Sequence, residues 1–300
     1  MSTNASLDPN RLALDDVSVT GLLTAFCHAI ESRRAAPLLD DPRAEAIADQ
    51  LAPMLAGSSS RVLRNLASGK VPDQLVVHLA LRARQYDRYA ASFAERNPGA
   101  TVVNLGCGLD TRFWRIDDGR LHLIDLDLPD VIGLKTDLVP SSDRYRMVGM
   151  SVLEEEWMDR LATEGGGPFI FLAEGLFMYL PPGSTRVLVT ELQSRFPGSE
   201  LVFETVNSRW LRPGLKWMID LKLRRELGLG RGTEYQSGIR DGHEVEGWGR
   251  GIRLLEEWTY FDEDDPRIGI IRKLRRWHVI RYTQWTVRYL LGPRGSPASI

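Results

Sequence analysis

Val103–Asn104–Leu105–Gly106–Cys107–Gly108–Leu109–Asp110 is the stretch on which the fold of this chain turns. Thr101 to Leu105 is short, β-branched and apolar, and it runs straight into Gly-x-Gly. Glycine admits positive φ and removes the Cβ that would hold a ligand away from the backbone, so a strand ending in two glycines marks a tight turn able to approach a ligand closely. A helical stretch follows from about Thr111 to Ile116, and then a second strand, Leu121–His122–Leu123–Ile124–Asp125. About twenty residues past the glycines stand two acids, Asp125 and Asp127, where a carboxylate can accept hydrogen bonds from both ribose hydroxyls of an adenosine. Spacing alone leaves open which of the two does so.

Working outward, further strands are expected at Arg144–Val148, Phe169–Ala173, Glu200–Glu204, Ile252–Phe261 and Gln284–Leu291. Helices are expected at Gly183–Phe196 and from Pro266 to Trp277. Strands alternating with helices predict a mostly parallel, seven-stranded α/β sheet of Rossmann-like type, covered on both faces. Upstream the pattern is helical, with an apolar stripe of Val19, Leu22, Leu23, Phe26 and Ile30, a break at Pro37 and Pro42, a helix from Arg43 to Met54 and a longer one from Leu75 to Phe93. The expected organisation is an N-terminal helical cap over 1–97 and a Rossmann-like domain over 98–300, with a helical insertion at about 207–245.

The loop also discriminates between cofactors. A dinucleotide site wants a third glycine, whereas here Gly-x-Gly-x-x-Thr places Asp110 and Thr111 after the turn. A carboxylate at Asp110 disfavours a pyrophosphate and tolerates a sulfonium, which favours S-adenosylmethionine over NAD.

The residues resemble a known family. Val102 to Arg112 is similar to the first motif of the leucine carboxyl methyltransferase family, class I S-adenosylmethionine-dependent methyltransferases, and closest to its bacterial polyketide O-methyltransferase (tetracenomycin-type) branch. Ile124–Asp125–Leu126–Asp127–Leu128–Pro129 resembles the family's acid–x–Asp–x–Pro segment, Leu172 to Leu180 its motif after the fourth strand, and Arg82–Ala83–Arg84–Gln85–Tyr86–Asp87 its Arg–x–Arg–x–x–Asp stretch. The likeness runs from about Thr24 to Glu204. It implies S-adenosylmethionine as cofactor and S-adenosylhomocysteine as product. It further implies a loop at Gly106, Cys107 and Gly108, a ribose acid at Asp127, Arg84 on the methionine carboxylate, Glu174 beside the cofactor, and Ser151 and Val152 near the adenine. Two positions depart from the pattern: Ser151 stands where the family often has an acid, and His28 where the branch tends to have arginine.

Composition sets the remaining bounds. With 38 basic and 40 acidic residues in 300, a formal net charge of -2 gives no signature of nucleic-acid binding. Cys27 and Cys107 form neither a disulfide framework nor a metal cluster, so no metal is expected. The polar start and the absence of a long apolar run predict a cytoplasmic protein without a membrane partner. The expected partner is a small-molecule acceptor, and the oligomeric state stays open. Methyl transfer needs alignment more than acid–base work, and only a phenol benefits from a base. His28, Tyr179 and His243 are the candidates, none marked by spacing. Trp210, Trp217 and Met218 give the insertion the composition of a lid over an aromatic acceptor, carboxylate or phenol. Two further readings stay open: a protein C-terminal carboxyl methyltransferase, and an S-adenosylmethionine-binding protein without methyl transfer, such as a cyclase.

Overall fold

The computed structural model describes residues 16–217, 234–269 and 281–295. Four helices lead: α1 (Asp16–Ser32), α2 (Pro42–Ala56), α3 (Arg61–Ala67) and α4 (Asp73–Arg96). Pro42 does not end a helix but begins one. It takes the first position of α2, where its missing N–H costs nothing, and the buried Asp41 carboxylate caps the turn by accepting from the Ala44 amide at 2.9 Å. The alternating part then runs β1 (Thr101–Leu105), α5 (Arg112–Ile116), β2 (His122–Asp127), α6 (Pro129–Leu138), β3 (Tyr145–Gly149), α7 (Glu156–Glu164), β4 (Phe169–Ala173), α8 (Ser184–Arg195), β5 (Ser199–Val206), β6 (Ile252–Trp258) and β7 (Gln284–Leu291). Helices α3, α6 and α7 were not anticipated, being short or weakly patterned.

The seven strands form one sheet in the order β3-β2-β1-β4-β5-β7-β6. β1 to β5 pair in parallel, and β7 runs antiparallel to both β5 and β6. β1, β4 and β5 are buried along their whole length, as parallel strands covered on both faces must be. One face packs under α1, α2 and α4 through Leu22, Phe26, Leu51, Tyr86, Val102 and Ile170. The other packs under α7 and α8 around Phe169, Phe171, Phe196, Phe203 and Tyr289. Among the described residues no helix is long and apolar enough to cross a membrane. Met218, Gly228, Gly230, Gly232 and most of the expected helix from Pro266 to Trp277 lie outside the described residues.

Candidate active site

Strand register lines up the rim of the sheet. Leu105 is level with Leu126 on β2, and Asn104 with Leu172 on β4. Ala173 is level with Phe203 on β5. One residue further on, Asp127, Gly106, Glu174 and Glu204 therefore stand in a row across β2, β1, β4 and β5, at the carboxyl ends where open α/β sheets bind ligands. Adjacent strands are about 4.8 Å apart, so the row spans roughly 14 Å, the scale of a nucleoside carrying an amino-acid tail.

The glycine turn is built as its sequence predicts. Gly106 and Gly108 have φ of +64° and +51°, and the Gly106 and Cys107 amides both donate to the Leu126 carbonyl. A Cβ on Gly106 would lie 2.9 Å from Leu176, and one on Gly108 3.3 Å from the Gly21 Cα of α1. Cys107 turns inward, with burial raising its thiol well above the ordinary range, so the turn presents backbone there.

The two aspartates part company. Asp125 is buried, and its carboxylate accepts from Lys135 Nζ at 2.6 Å, the Tyr145 hydroxyl at 2.5 Å and Asn104 Nδ2 at 3.1 Å. Asp127 lies at the rim. Its Oδ2 accepts from the Gly108 amide at 2.7 Å and its Oδ1 from the Leu128 amide at 2.7 Å, leaving a lone pair on each oxygen. Burial raises this carboxyl, against the pull of the two amides. Beside it, Leu128 and Leu153 are exposed apolar side chains, Val152 is buried, and the Ser151 hydroxyl accepts from the Leu153 amide at 3.3 Å.

Beneath β1 and β4 lies a network of ion pairs. Arg112, 1% exposed, binds Asp87 at 2.7 Å, Asp110 at 2.7 Å and Glu174 at 2.6 Å. Arg115 binds Asp87, Asp41 and Asp110. Arg82 binds Glu174 through Nε at 2.8 Å and Glu204 through Nη1 at 2.7 Å, while its Nη2 has no hydrogen-bond partner among the described residues. Five carboxylates (Asp41, Asp87, Asp110, Glu174, Glu204) thus face three guanidiniums, an electronegative floor. Burial works against the charge on Asp110 and Glu174, yet Arg112 with Arg115, and Arg82 with Arg112, hold the two carboxyls below their ordinary values. Asp110 is consequently spent on arginines, and the repulsion of a pyrophosphate expected from it does not arise at that side chain.

Arg84 is not brought to this network. It points two positions round α4 from Arg82 and pairs with Glu263 at 2.6 Å, together with Arg88. A helix turns about 100° per residue, so Arg82 and Arg84 face nearly opposite ways. Arg82 sits among the buried Leu79, Ala83 and Tyr86, and Arg84 on the stripe of Arg88. His28 is buried on α1, its Nδ1 3.7 Å from Asp41 and its Nε2 without a partner. It lies seven residues, two helical turns, from the Gly21 that touches the glycine turn, hence on the same face.

The proton-acceptor candidates are sorted by the same geometry. His243 is exposed on the 3-10 turn Gly242–Trp248, paired with Glu246 at 2.8 Å and packed on the β6 side, which removes it as a base at the rim. Tyr179 lies in the turn after β4, its ring 5.4 Å from that of Tyr235, and burial followed by Glu204 pushes its hydroxyl up to about 12, so it is a donor at neutral pH. Trp210, like Tyr179, packs against the buried cluster of Met178, Val206 and Tyr235, whereas Trp217 is 62% exposed. Glu204 itself went unnoticed in the sequence, although an apolar strand ending in an acid was the signal, as it was at Glu174. A cavity of about 330 Å³ lies on the α8 side of the rim, lined by Phe177, Arg186, Thr205 and Ser237, and does not reach Gly106, Asp127 or Glu174.

Sheet order, glycine turn and rim acid together define a class I methyltransferase. The sequence profile described as leucine carboxyl methyltransferase matches residues 21–193, and the chain belongs to that family. It is 29% identical over 89% of its length, and 90% of the relative's, to the tetracenomycin polyketide synthesis O-methyltransferase TcmP of Streptomyces glaucescens. It is 27% identical to the S-adenosyl-L-methionine-dependent methyltransferase dpfgK of Gibberella zeae, again over 89% of this chain and 90% of the relative. The crystal structure of a DUF574 family protein from Streptomyces avermitilis shares the fold, with a TM-score of 0.53 at 13% identity, covering 90% of this chain and 97% of that one. The chain is an S-adenosylmethionine-dependent methyltransferase.

Proposed function

We propose that the chain is an O-methyltransferase acting on a carboxylate or phenolic hydroxyl of a small, polyketide-like molecule in secondary metabolism. The observation that carries the cofactor half is the unequal state of the two β2 acids: Asp127 keeps free lone pairs beside the Gly108 amide, while Asp125 is consumed by Lys135, Tyr145 and Asn104. When bound, S-adenosylmethionine supplies an electrophilic methyl group. Asp127 holds the ribose hydroxyls, and the adenine lies against Leu128, Val152 and Leu153 with the Ser151 hydroxyl in reach. The methionine end lies over Gly106, with its cationic groups above the electronegative floor at Glu174, its ammonium within reach of His28 Nε2 and its carboxylate toward Arg82 Nη2. The buried His28 Nε2, opposite the Nδ1 that faces Asp41, has no partner and fits the amino group as acceptor, since a buried polar atom left unpaired costs about 1–3 kcal/mol.

The acceptor half rests on the likeness to a polyketide-synthesis O-methyltransferase and on the aromatic cluster of Tyr179, Trp210 and Tyr235 beside the rim. In this reading α1 to α4 cap the glycine turn, and the 207–245 segment serves as a lid. Two measurements test it. Asp127→Ala should weaken S-adenosylhomocysteine binding roughly tenfold or more in calorimetry, the loss of charged hydrogen bonds of about 1.5–3 kcal/mol. An assay of S-adenosylhomocysteine release with phenolic acids, polyketide-like acids and peptides ending in leucine should find turnover on the small molecules. Turnover of peptides alone would move the function to protein carboxyl methylation.

A further inference from the structure

The cavity of about 330 Å³ on the α8 side lies apart from the row of Gly106, Asp127 and Glu174. From β5 it is lined by Thr205, which by strand alternation faces away from the side on which Glu204 meets Arg82. Phe177 enters from the turn after β4, Glu244 and Trp248 from the 3-10 turn Gly242–Trp248, and Thr185 and Arg186 from the start of α8. That helix begins unlike α2. Gly183, at φ +85°, takes the N-cap place and has no side chain to offer. The Ser184 amide donates to the Pro181 carbonyl and the Val187 amide to that of Gly183, which leaves the Thr185 and Arg186 amides without an acceptor among the described residues. The Arg186 guanidinium has no ion pair among them either. Two hydroxyls that line the cavity are equally poorly served. Thr185 and Thr205 are 7% and 3% exposed, and each finds only a carbonyl at 3.5 Å, that of Phe177 and that of Val206, longer than the roughly 2.5–3.0 Å of an O–H···O hydrogen bond.

We propose that this cavity is a second small-molecule site, which takes an aryl carboxylate and is not the place of methyl transfer. The lining selects the ligand. Two main-chain amides, a guanidinium and two buried hydroxyls are all donors, and α8, at 12 residues, adds the partial positive charge of a helix N-terminus. A carboxylate is planar and can accept from the Arg186 fork with both oxygens. The opposing charge is Glu244, whose Oε2 already accepts from the Arg240 amide at 2.9 Å, so the anion seats at the α8 end. Phe177, Leu211 and Trp248 offer apolar surface to the rest of the ligand, and an aromatic ring packs on such faces at little entropic cost. The volume stands at the lower end of small-molecule sites, which run to about 300–1,000 Å³, and suits one or two rings. A carboxylate held on Arg186 lies away from the methyl group, because the cavity does not reach the cofactor row. An occupant touches Phe177 and Ile239 at once, and so bridges the turn after β4 and the described end of the 207–245 segment. These two stretches already meet through the Gln236 amide on the Met178 carbonyl at 2.7 Å and the Ser237 hydroxyl on that of Leu180 at 2.7 Å.

Calorimetry of the full chain with 2-naphthoate, and with 2-naphthol as the probe that lacks the carboxylate, tests this. 2-Naphthoate should bind on the order of tenfold more tightly than 2-naphthol, and saturating S-adenosylhomocysteine should leave its affinity unchanged. Arg186→Ala should weaken 2-naphthoate roughly tenfold, the scale of a charged hydrogen bond, and leave S-adenosylhomocysteine binding alone. Thr205→Val, which keeps the shape and removes the hydroxyl, should weaken it several-fold; Arg186 is exposed, so its variant reports on the cavity even if Thr205→Val fails to fold. Val187→Ala, on α8 but outside the lining, should change nothing. Absence of 2-naphthoate binding, equal affinity for 2-naphthol, or indifference to Arg186→Ala would overturn the site. Displacement of 2-naphthoate by S-adenosylhomocysteine would move the ligand to the cofactor row. Formation of methyl 2-naphthoate from S-adenosylmethionine, with a KM raised by Arg186→Ala, would make the cavity the seat of the acceptor and overturn its separateness. The readout is binding, so failure of every transfer assay leaves this test standing.

Discussion

Asp125 and Asp127 stand two residues apart on β2, yet they belong to polar regions of opposite kinds. Around Asp125, Lys135, Tyr145 and Asn104 supply its hydrogen bonds and its counter-charge, all out of contact with solvent. Burial lowers the affinity of Lys135 for its proton and Asp125 more than restores it, so the ammonium is held above its usual range. Along the rim, by contrast, Arg82 Nη2 and His28 Nε2 lack partners among the described residues, and Asp127 and Glu204 keep free lone pairs. A closed cluster stabilises a fold, because breaking it strands a charge. An incomplete one costs stability until something else fills it, and this is the physical mark of a ligand site.

The comparison breaks most sharply at its closed member. Lys135→Met leaves Asp125 buried without a counter-ion and should cost about 3–5 kcal/mol in chemical denaturation. A loss of less than about 1 kcal/mol, the scale of an exposed pair, would show that water reaches the cluster. A smaller effect is expected at the open rim, where the reading concerns the ligand rather than the fold. Arg82→Lys keeps the charge and loses the planar fork, so S-adenosylhomocysteine affinity should fall roughly tenfold, with Arg84→Lys close to wild type. The reverse result would return the carboxylate contact to Arg84. Smallest is His28→Asn, which removes the ring nitrogen Nε2 that has no partner among the described residues. S-adenosylhomocysteine affinity should drop a few-fold, in line with a net hydrogen bond of about 0.5–1.5 kcal/mol, and that for 5′-methylthioadenosine, which lacks the amino-acid end, should not move. Equal losses for both ligands would place His28 in the support of the fold, through Asp41 and Arg115, instead of at the ligand.

The sequence by itself determined the elements that depend on local chemistry. β1, β4 and β7 fall at the expected residues, and the Gly106–Gly108 turn requires the positive φ that only glycine adopts easily. The spacing to the β2 acids placed them at the right rim, and the four motifs carried the family. What it left undecided were choices between near neighbours: Asp125 or Asp127, Arg82 or Arg84, and which base, if any. Each is a question of which way a side chain points in an element buried on more than one side. Periodicity gives a phase only when one face is apolar and the other wet, whereas β5 is buried throughout and α4 over most positions from Val76 to Tyr86. The ion network itself joins Asp41, Arg82, Asp87, Asp110, Arg112, Glu174 and Glu204, residues up to 163 positions apart, and no local pattern pairs such distant charges. Only the register of β1, β4 and β5 brings Glu174 and Glu204 level with Gly106, and register is settled between strands, not within the sequence of any one of them.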